Sequence, residues 1–170
     1  MQSFSAFCKE AKYILSKGAR LIESWQPIEP LSSKEQQEAI TKLSKLGETG
    51  DRISLGALGW NVPDPLILWG FGVDIEQQEI KDKHGKRVKI DPKTLSPTQP
   101  SCLYDAIKKY ISDIRSDLPI IYSVQGYDQL FANDHTRITA QLLAGRHRID
   151  AIHYSCIRNE EDQLIPIEQV

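Results

Sequence analysis

A short run of polar and charged residues, Asn133 to Arg137, is the part of this sequence best suited to chemistry. It follows a short apolar stretch and precedes a segment whose apolar residues have helical spacing. A helix N-terminus presents backbone N–H groups without intrahelical partners and a partial positive charge, and together these attract anions. We therefore predict an anion site at this junction.

The side chains of the run suit a phosphate. Arg137 can offer a bidentate guanidinium, and Thr136 and His135 can add hydrogen-bond donors. Asn133 or Asp134 is expected to cap the helix by accepting from its first N–H groups. We take His135, Arg137 and Asp134 as catalytic candidates, with the imidazole as general acid or base near neutral pH and the guanidinium stabilising phosphoryl charge. The alternative is structural: Asp134 caps the helix, and Arg137 pairs with a nearby acid.

The elements that position this run follow from the spacing of apolar residues. Alternating short runs predict strands, and apolar residues three or four apart predict amphipathic helices, so we expect an α+β fold with a small mixed sheet. Ser32 and Glu35 form a capping-box pattern that predicts a helix start. The sequence predicts helices over 4–25, 32–46, 102–115 and 135–144, strands over 119–124, 129–132 and 149–157, and a hairpin over 79–90.

Two motifs and the order of these elements resemble the ParB/sulfiredoxin superfamily. That family has a strand, then Asp-Gly-x-His/Thr-Arg, then a helix of small and apolar residues ending in Gly, and residues 130–145 follow this order. Val88-Lys-Ile-Asp-Pro-Lys-Thr-Leu-Ser-Pro-Thr-Gln99 is similar to the opening strand and Leu-x-Pro-Thr-Gln segment of the family. The resemblance covers about 70 of the 170 residues. It implies that Thr98 and Gln99 approach the phosphate turn and orient the substrate, as binding residues alongside Asn133 and Thr136.

The chain departs from the family pattern at the turn itself. Asn133-Asp134 stands where the family has Asp-Gly, so an amide replaces a carboxylate and an acid replaces a flexible glycine. Sulfiredoxin uses a cysteine two residues before the motif arginine, and His135 occupies that position, so sulfiredoxin chemistry has no thiol there. Partition proteins of the family add a DNA-reading helix-turn-helix. Only 14 residues follow residue 156, and we expect no such reader.

Charge and composition narrow the class of partner. The net charge of −2 is uneven: residues 81–156 carry 12 Lys and Arg against 8 Asp, which is +4, while residues 1–80 and 157–170 each carry −3. This modest positive excess fits a nucleotide or a short nucleic-acid contact better than a long phosphate track. No apolar run approaches the roughly 20 residues of a membrane span, and no signal-peptide pattern is present. The cysteines form no disulfide or metal pattern and are expected to be buried thiols in a reducing, cytoplasmic compartment: Cys8, Cys102 and Cys156.

The composition of the chain changes near residue 72. We expect residues 1–72 to form a helical and then Gly- and Pro-rich segment, residues 73–157 the ParB/sulfiredoxin-like domain, and residues 158–170 an acidic tail. Within residues 47–72, six glycines and a Pro-Asp-Pro unit break any regular element, although Trp60 and the run after Pro65 are apolar. This stretch is predicted to pack against the C-terminal domain. The alternative is a surface for a partner, such as an immunity or delivery protein.

Three functions fit these features, and the first is favoured. The resemblance implies a nuclease that cleaves phosphodiester bonds, of the kind found as toxin modules of bacterial competition systems that are delivered into a target cell. The second is a phosphotransferase that uses a nucleotide, such as a small-molecule kinase. The third is a non-catalytic switch that binds a nucleotide and changes its partner contacts. Neither a Walker-type loop nor a His-Glu-x-x-His metal motif is present, so no metal ligand is predicted and the cofactor, Mg²⁺ or a nucleotide, stays open.

Overall fold

The computed structural model of the protein describes residues 20–21, 30–68, 85–113, 118–161 and 164–167. Within these ranges three α-helices share one hydrophobic core with a mixed sheet, so the predicted α+β class is confirmed. The helices are α1 (Ser33–Ser44), α2 (Tyr104–Ser112) and α3 (His135–Leu143), and a 3-10 turn spans Pro92–Thr94. The strands are β1 (Arg20–Leu21), β2 (Arg52–Ser54), β3 (Lys86–Ile90), β4 (Leu95–Ser96), β5 (Ser101–Leu103), β6 (Ile120–Val124), β7 (Leu130–Ala132), β8 (Ile149–Arg158) and β9 (Leu164–Pro166).

The main sheet is built around β8. The described strands lie in the order β1-β3-β8-β6-β7-β4, and β9 pairs with the end of β8. β8 runs antiparallel to β3 and parallel to β6, and its residues 151–157 are all buried. A strand covered on both faces is expected to be mostly apolar, and the two polar residues in this buried stretch of β8 are His153 and Ser155. β6 turns at Gly126, which has a φ of 92°, and returns as β7, whose end leads into α3.

Helix α1 begins as the capping-box pattern predicts. The Ser32 side chain accepts from the Glu35 N–H at 3.1 Å, and the Glu35 carboxylate accepts from the Ser32 N–H at 2.9 Å. The same carboxylate is 2.9 Å from Nε of Arg146, which follows α3. Hydrogen bonds from Arg146 and then from the Ser32 backbone lower the pKa of Glu35 to about 2. One residue thus stabilises the start of α1 and attaches it to the far end of α3.

The Gly-rich segment after α1 packs onto the same core. β2 pairs antiparallel with β5, and the turn that follows β2 places three apolar side chains inside. The indole Nε1 of Trp60 donates to Thr139 Oγ1 of α3 at 2.9 Å. The predicted packing of this stretch against the C-terminal part is therefore confirmed for the residues up to Trp60. Its buried side chains are Ile53, Leu55, Leu58 and Trp60.

Two predicted helices need correction. Arg20–Leu21, within the helix predicted over 4–25, form β1, because β3 offers them backbone partners along its edge. The helix predicted over 102–115 begins only at Tyr104, because the three residues before it extend to pair with β2. The remainder of 4–25, and residues 114–117, lie outside the described residues.

Composition predicted two divisions of the chain, one near residue 72 and one at the start of the acidic tail, residue 158. The structure tests only the second. The boundary near residue 72 and the 79–81 arm of the predicted hairpin lie outside the described residues, so both stay predictions. The segment predicted as an acidic tail adds a strand, β9, to the sheet.

In the parts of the chain that the structure describes, no helix is long and apolar enough to cross a membrane.

Candidate phosphate-binding site

The run from Asn133 to Arg137 lies at the junction of β7 and α3. The Asn133 N–H donates to Ile120 O of β6 at 3.0 Å, which continues the β6–β7 ladder by one residue. The first intrahelical bond runs from the Ile138 N–H to Asp134 O. The prediction of a strand-to-helix junction, with the helix beginning near His135, is therefore confirmed.

A cavity of about 150 Å³ lies at this helix start. Five of its lining residues come from the junction, Gln99 comes from the loop between β4 and β5, and Tyr110 comes from α2. Every lining residue except His135 is partly exposed, so the cavity reaches the surface. Gln99 and the run from Asn133 to Arg137 thus meet at one cavity, although more than 30 residues separate them in the sequence. The lining consists of Gln99, Tyr110, Asn133, Asp134, His135, Thr136 and Arg137.

His135 attaches the Thr98 segment to the junction. Its ring is 2% exposed, and its Nε2 accepts from the Thr98 N–H at 2.9 Å. Its Nδ1 is 3.3 Å from Asn133 O. An amide N–H only donates and a carbonyl only accepts, so this network requires the neutral tautomer with its proton on Nδ1. Thr98 is buried as well, and its hydroxyl donates to Ala132 O at 3.0 Å.

The surroundings of His135 favour a positioning role over the acid or base role expected from its residue type. Burial lowers the pKa of His135 from 6.5 to about 4, although the hydrogen bond to the Asn133 carbonyl opposes this. The ring of Trp60 stacks on the imidazole with centroids 5.3 Å apart. At neutral pH the imidazole is therefore uncharged. Its Nε2 holds the 98–99 loop against α3, and its Nδ1 is engaged by the Asn133 carbonyl of the junction.

Asp134 and Arg137 form an ion pair on the cavity wall. Nη1 of Arg137 is 3.3 Å from Oδ1 of Asp134, and its guanidinium carbon lies 4.9 Å from the centre of the Tyr110 ring. The Arg137 side chain is 21% exposed, so the pair is reached by solvent. The Arg–acid pairing of the structural alternative is thus present, but in the wall of an open cavity.

The expected capping role of Asp134 needs correction. Its side chain accepts no capping hydrogen bond from the backbone N–H groups of the first turn of α3. Its Oδ2 instead accepts from the Ile120 N–H at the start of β6, at 2.6 Å. The backbone of Asp134, at φ −99° and ψ 69°, departs from the extended conformation that N-cap residues adopt, which directs the carboxylate back to the sheet.

A polar layer that the sequence did not reveal lies beside the cavity. Nε2 of Gln99 donates to Ser101 O at 2.9 Å and lies 3.6 Å from the Cys102 sulfur. Burial raises the pKa of the Cys102 thiol, while hydrogen bonds from Thr136, Thr139 and Gln99 oppose the shift. The expectation of a buried thiol is confirmed for Cys102 and also for Cys156, and Cys8 lies outside the described residues.

No protein-family model, no curated protein and no solved structure matches this chain. Across the described ranges, no group of three or more His, Cys, Asp or Glu residues is placed to hold a metal ion. The function is therefore argued from the cavity and the chemistry of its lining.

Acid should destabilise the protein between pH 6.5 and pH 5. Burial lowers the pKa of both His135 and His153 from 6.5 to about 4. The unfolded chain therefore binds more protons than the folded one in this window, and the free energy of unfolding falls as pH falls. The full slope is about 1.4 kcal/mol per pH unit for each histidine. Urea unfolding at pH 7, 6 and 5 measures it, and His135→Asn should flatten the slope. An equal free energy of unfolding at pH 7 and pH 5 would contradict the burial of these imidazoles.

Proposed function

We propose that the protein is a phosphate-binding domain of the ParB/sulfiredoxin type that acts on the phosphodiester backbone of a nucleic acid. The observation that carries this proposal is the cavity at the start of α3, where Arg137 and the junction backbone meet Gln99. Both of the family-like motifs of the sequence contribute to this one cavity. A helix start combined with a guanidinium is a favourable environment for phosphoryl oxygens.

The size of the cavity supports a single phosphoryl group as its occupant. At about 150 Å³ it is smaller than the roughly 300–1,000 Å³ of most small-molecule pockets. A phosphoryl group fits such a volume, while the attached nucleosides extend beyond it. Because the lining reaches the surface, the rest of a bound nucleic acid can lie outside the cavity.

Cleavage follows from the two charged residues of the lining. When a phosphate enters, the Arg137 guanidinium turns to the phosphoryl oxygens, and Oδ1 of Asp134 can accept a proton while Oδ2 keeps its hydrogen bond from the Ile120 N–H. A water oxygen then attacks phosphorus, Asp134 takes the proton of that water, and the phosphorus–oxygen ester bond breaks. The leaving alkoxide takes a proton from solvent, and Arg137 stabilises the charge that develops on the phosphoryl oxygens.

Asp134 is the single carboxylate in the described cavity lining, and the described residues contain no group of three or more His, Cys, Asp or Glu residues placed around a metal position. Mg²⁺ is commonly bound by one or two carboxylates together with substrate phosphates. If the reaction uses Mg²⁺, the ion enters with the substrate, and Asp134 is its one protein ligand from this lining.

A second candidate function is a non-catalytic nucleotide switch. The observation that favours it is the state of His135, which is neutral at pH 7 and has both ring nitrogens engaged. A site without a mobile imidazole can still bind a phosphate, and this binding can change the position of the 98–99 loop and so the contacts with a partner.

Incubation of the purified full chain with plasmid DNA, total RNA and labelled ATP, with and without Mg²⁺, distinguishes these functions. We expect cleavage of DNA or RNA, and a loss of at least about tenfold in rate for Arg137→Ala, from the 1.5–3 kcal/mol of a charged hydrogen bond. Arg146→Ala is the matched control, since it removes another Arg–acid pair from the opposite end of α3. Consumption of ATP alone would show a phosphotransferase. Nucleotide binding with no substrate consumed would show a switch.

A further inference from the structure

The charges of the cavity lining indicate which kind of phosphate ester the site binds. The described lining contains one cation, Arg137, and one carboxylate, Asp134, and these two form an ion pair. The other two titratable side chains are His135, which is neutral because burial lowers its pKa to about 4, and the phenol of Tyr110. The side-chain charges of the described lining therefore sum to zero, and the remaining positive contribution is the roughly half charge of the helix start.

We infer that this site selects a phosphodiester, which carries one negative charge, over a terminal phosphomonoester, which carries about two. This inference rests on the proposed phosphate site and names the substrate class of that site. A phosphodiester is the internal linkage of a nucleic acid, whereas a phosphomonoester is the end of a mononucleotide or of a cleaved strand.

The physical reason is that a second negative charge gains no net attraction from the side chains of the described lining. The attraction of Arg137 for the extra charge is offset by the repulsion of Asp134, which lies beside it. The extra charge must still lose part of its hydration to enter the cavity. No net attraction to the lining side chains offsets the free energy of this dehydration. Asp134 stays close to any bound phosphate, because its other oxygen accepts from the Ile120 N–H of β6 at 2.6 Å.

A matched pair of probes isolates this effect: thymidine 5′-monophosphate and its methyl ester. The two differ only in the charge and one methyl group of the phosphate. At pH 7.5 and low ionic strength, calorimetric titration of the wild-type chain should give a dissociation constant about tenfold lower for the diester, because the monoester loses hydration of its second charge without compensation from the lining side chains. At pH 5.5 the monoester is largely singly charged, since its second pKa is roughly 6, and the preference should shrink.

Two variants of the lining test the role of the carboxylate with opposite signs. Asp134→Asn keeps an oxygen for the Ile120 N–H and removes the charge, so it should strengthen monoester binding until the two probes bind within about twofold of each other. Asn133→Asp adds a second carboxylate to the lining and should weaken monoester binding further. The wild-type pH comparison needs neither variant, so a variant that fails to fold does not remove the test.

The outcomes separate this inference from the proposed function. If both probes bind, Arg137→Ala weakens both, and the monoester binds at least as tightly at pH 7.5, the phosphate site stands and the selection for a diester is wrong. If neither probe binds the wild-type chain, or Arg137→Ala leaves both affinities unchanged, the phosphate site itself is wrong.

Discussion

Replacing Arg137 with Ala should weaken the binding of a phosphodiester ligand about tenfold to a hundredfold. The guanidinium is the cation of the described cavity lining, and losing a charged hydrogen bond to phosphate costs about 1.5–3 kcal/mol. The free energy of unfolding should change by less than about 2 kcal/mol. The reason is that the Asp134 pair is open to solvent and contributes about 0–1 kcal/mol, and the contact with Tyr110 adds about 0.5–1 kcal/mol. Calorimetric titration and thermal unfolding on the same sample measure both quantities.

Arg146→Ala is the control for this prediction. Arg146 follows the other end of α3, pairs with Glu35 at 2.9 Å, and has a side-chain exposure of 19%, close to that of Arg137. Its removal should lower stability, because Arg146 attaches α1 to α3 through Glu35 and Pro30 O, and it should leave ligand affinity unchanged. The structural alternative predicts the reverse pattern for Arg137→Ala: a large fall in melting temperature with unchanged affinity of the folded protein.

Replacing Trp60 with Ala should lower the free energy of unfolding by about 3–5 kcal/mol, the usual cost of removing a large buried aromatic side chain. The indole is 5% exposed, stacks on His135 and donates to Thr139. Trp60→Phe keeps a ring against the imidazole and removes the hydrogen bond, so it should cost about 1–3 kcal/mol. Urea unfolding of the two variants beside the wild-type chain measures the difference.

Val62→Ala is the control from the same segment. Val62 is two residues away and 45% exposed, so its truncation should change the free energy of unfolding by no more than about 0.5 kcal/mol. If Trp60→Ala costs as little as Val62→Ala, the Gly-rich segment does not belong to the core, and its packing against α3 is contradicted.

The features that sequence predicts well here are local ones. The start of α3 follows from a polar run before a 3.6-residue apolar repeat, and its end follows from Gly145, whose φ of 82° suits glycine. The capping box of α1 is likewise determined by residues three apart. The approach of Thr98 to the junction is not local, and it was expected only because of the resemblance to a family.

The features that sequence missed depend on distant partners. Asp134 has the side chain of a helix cap, but the N–H of Ile120, on a neighbouring strand, binds its carboxylate instead. His135 has the residue type of an acid or base, but Trp60 and Thr98 bury it from two other segments. A residue type states what a side chain can do, while its burial and its partners are set by tertiary packing.

The same reasoning applies to Tyr110 of α2, which the sequence did not indicate as part of the site. The Arg137 guanidinium of α3 lies over its ring, with the guanidinium carbon 4.9 Å from the ring centre. Nothing in the spacing of α2 indicates which residue of α3 it faces, because that depends on how the two helices pack.

The most direct test of the phosphate site is a heteronuclear NMR titration of the ¹⁵N-labelled full chain with the methyl ester of thymidine 5′-monophosphate at low ionic strength. Binding in the cavity should shift the backbone amides of Thr136 and Arg137 and the side-chain amide of Gln99, since these line it. The same titration of Arg137→Ala should need a ligand concentration about tenfold or more higher for equal shifts. Shifts confined to other parts of the chain, with Gln99, Thr136 and Arg137 unchanged at saturation, would contradict a phosphate site at the start of α3.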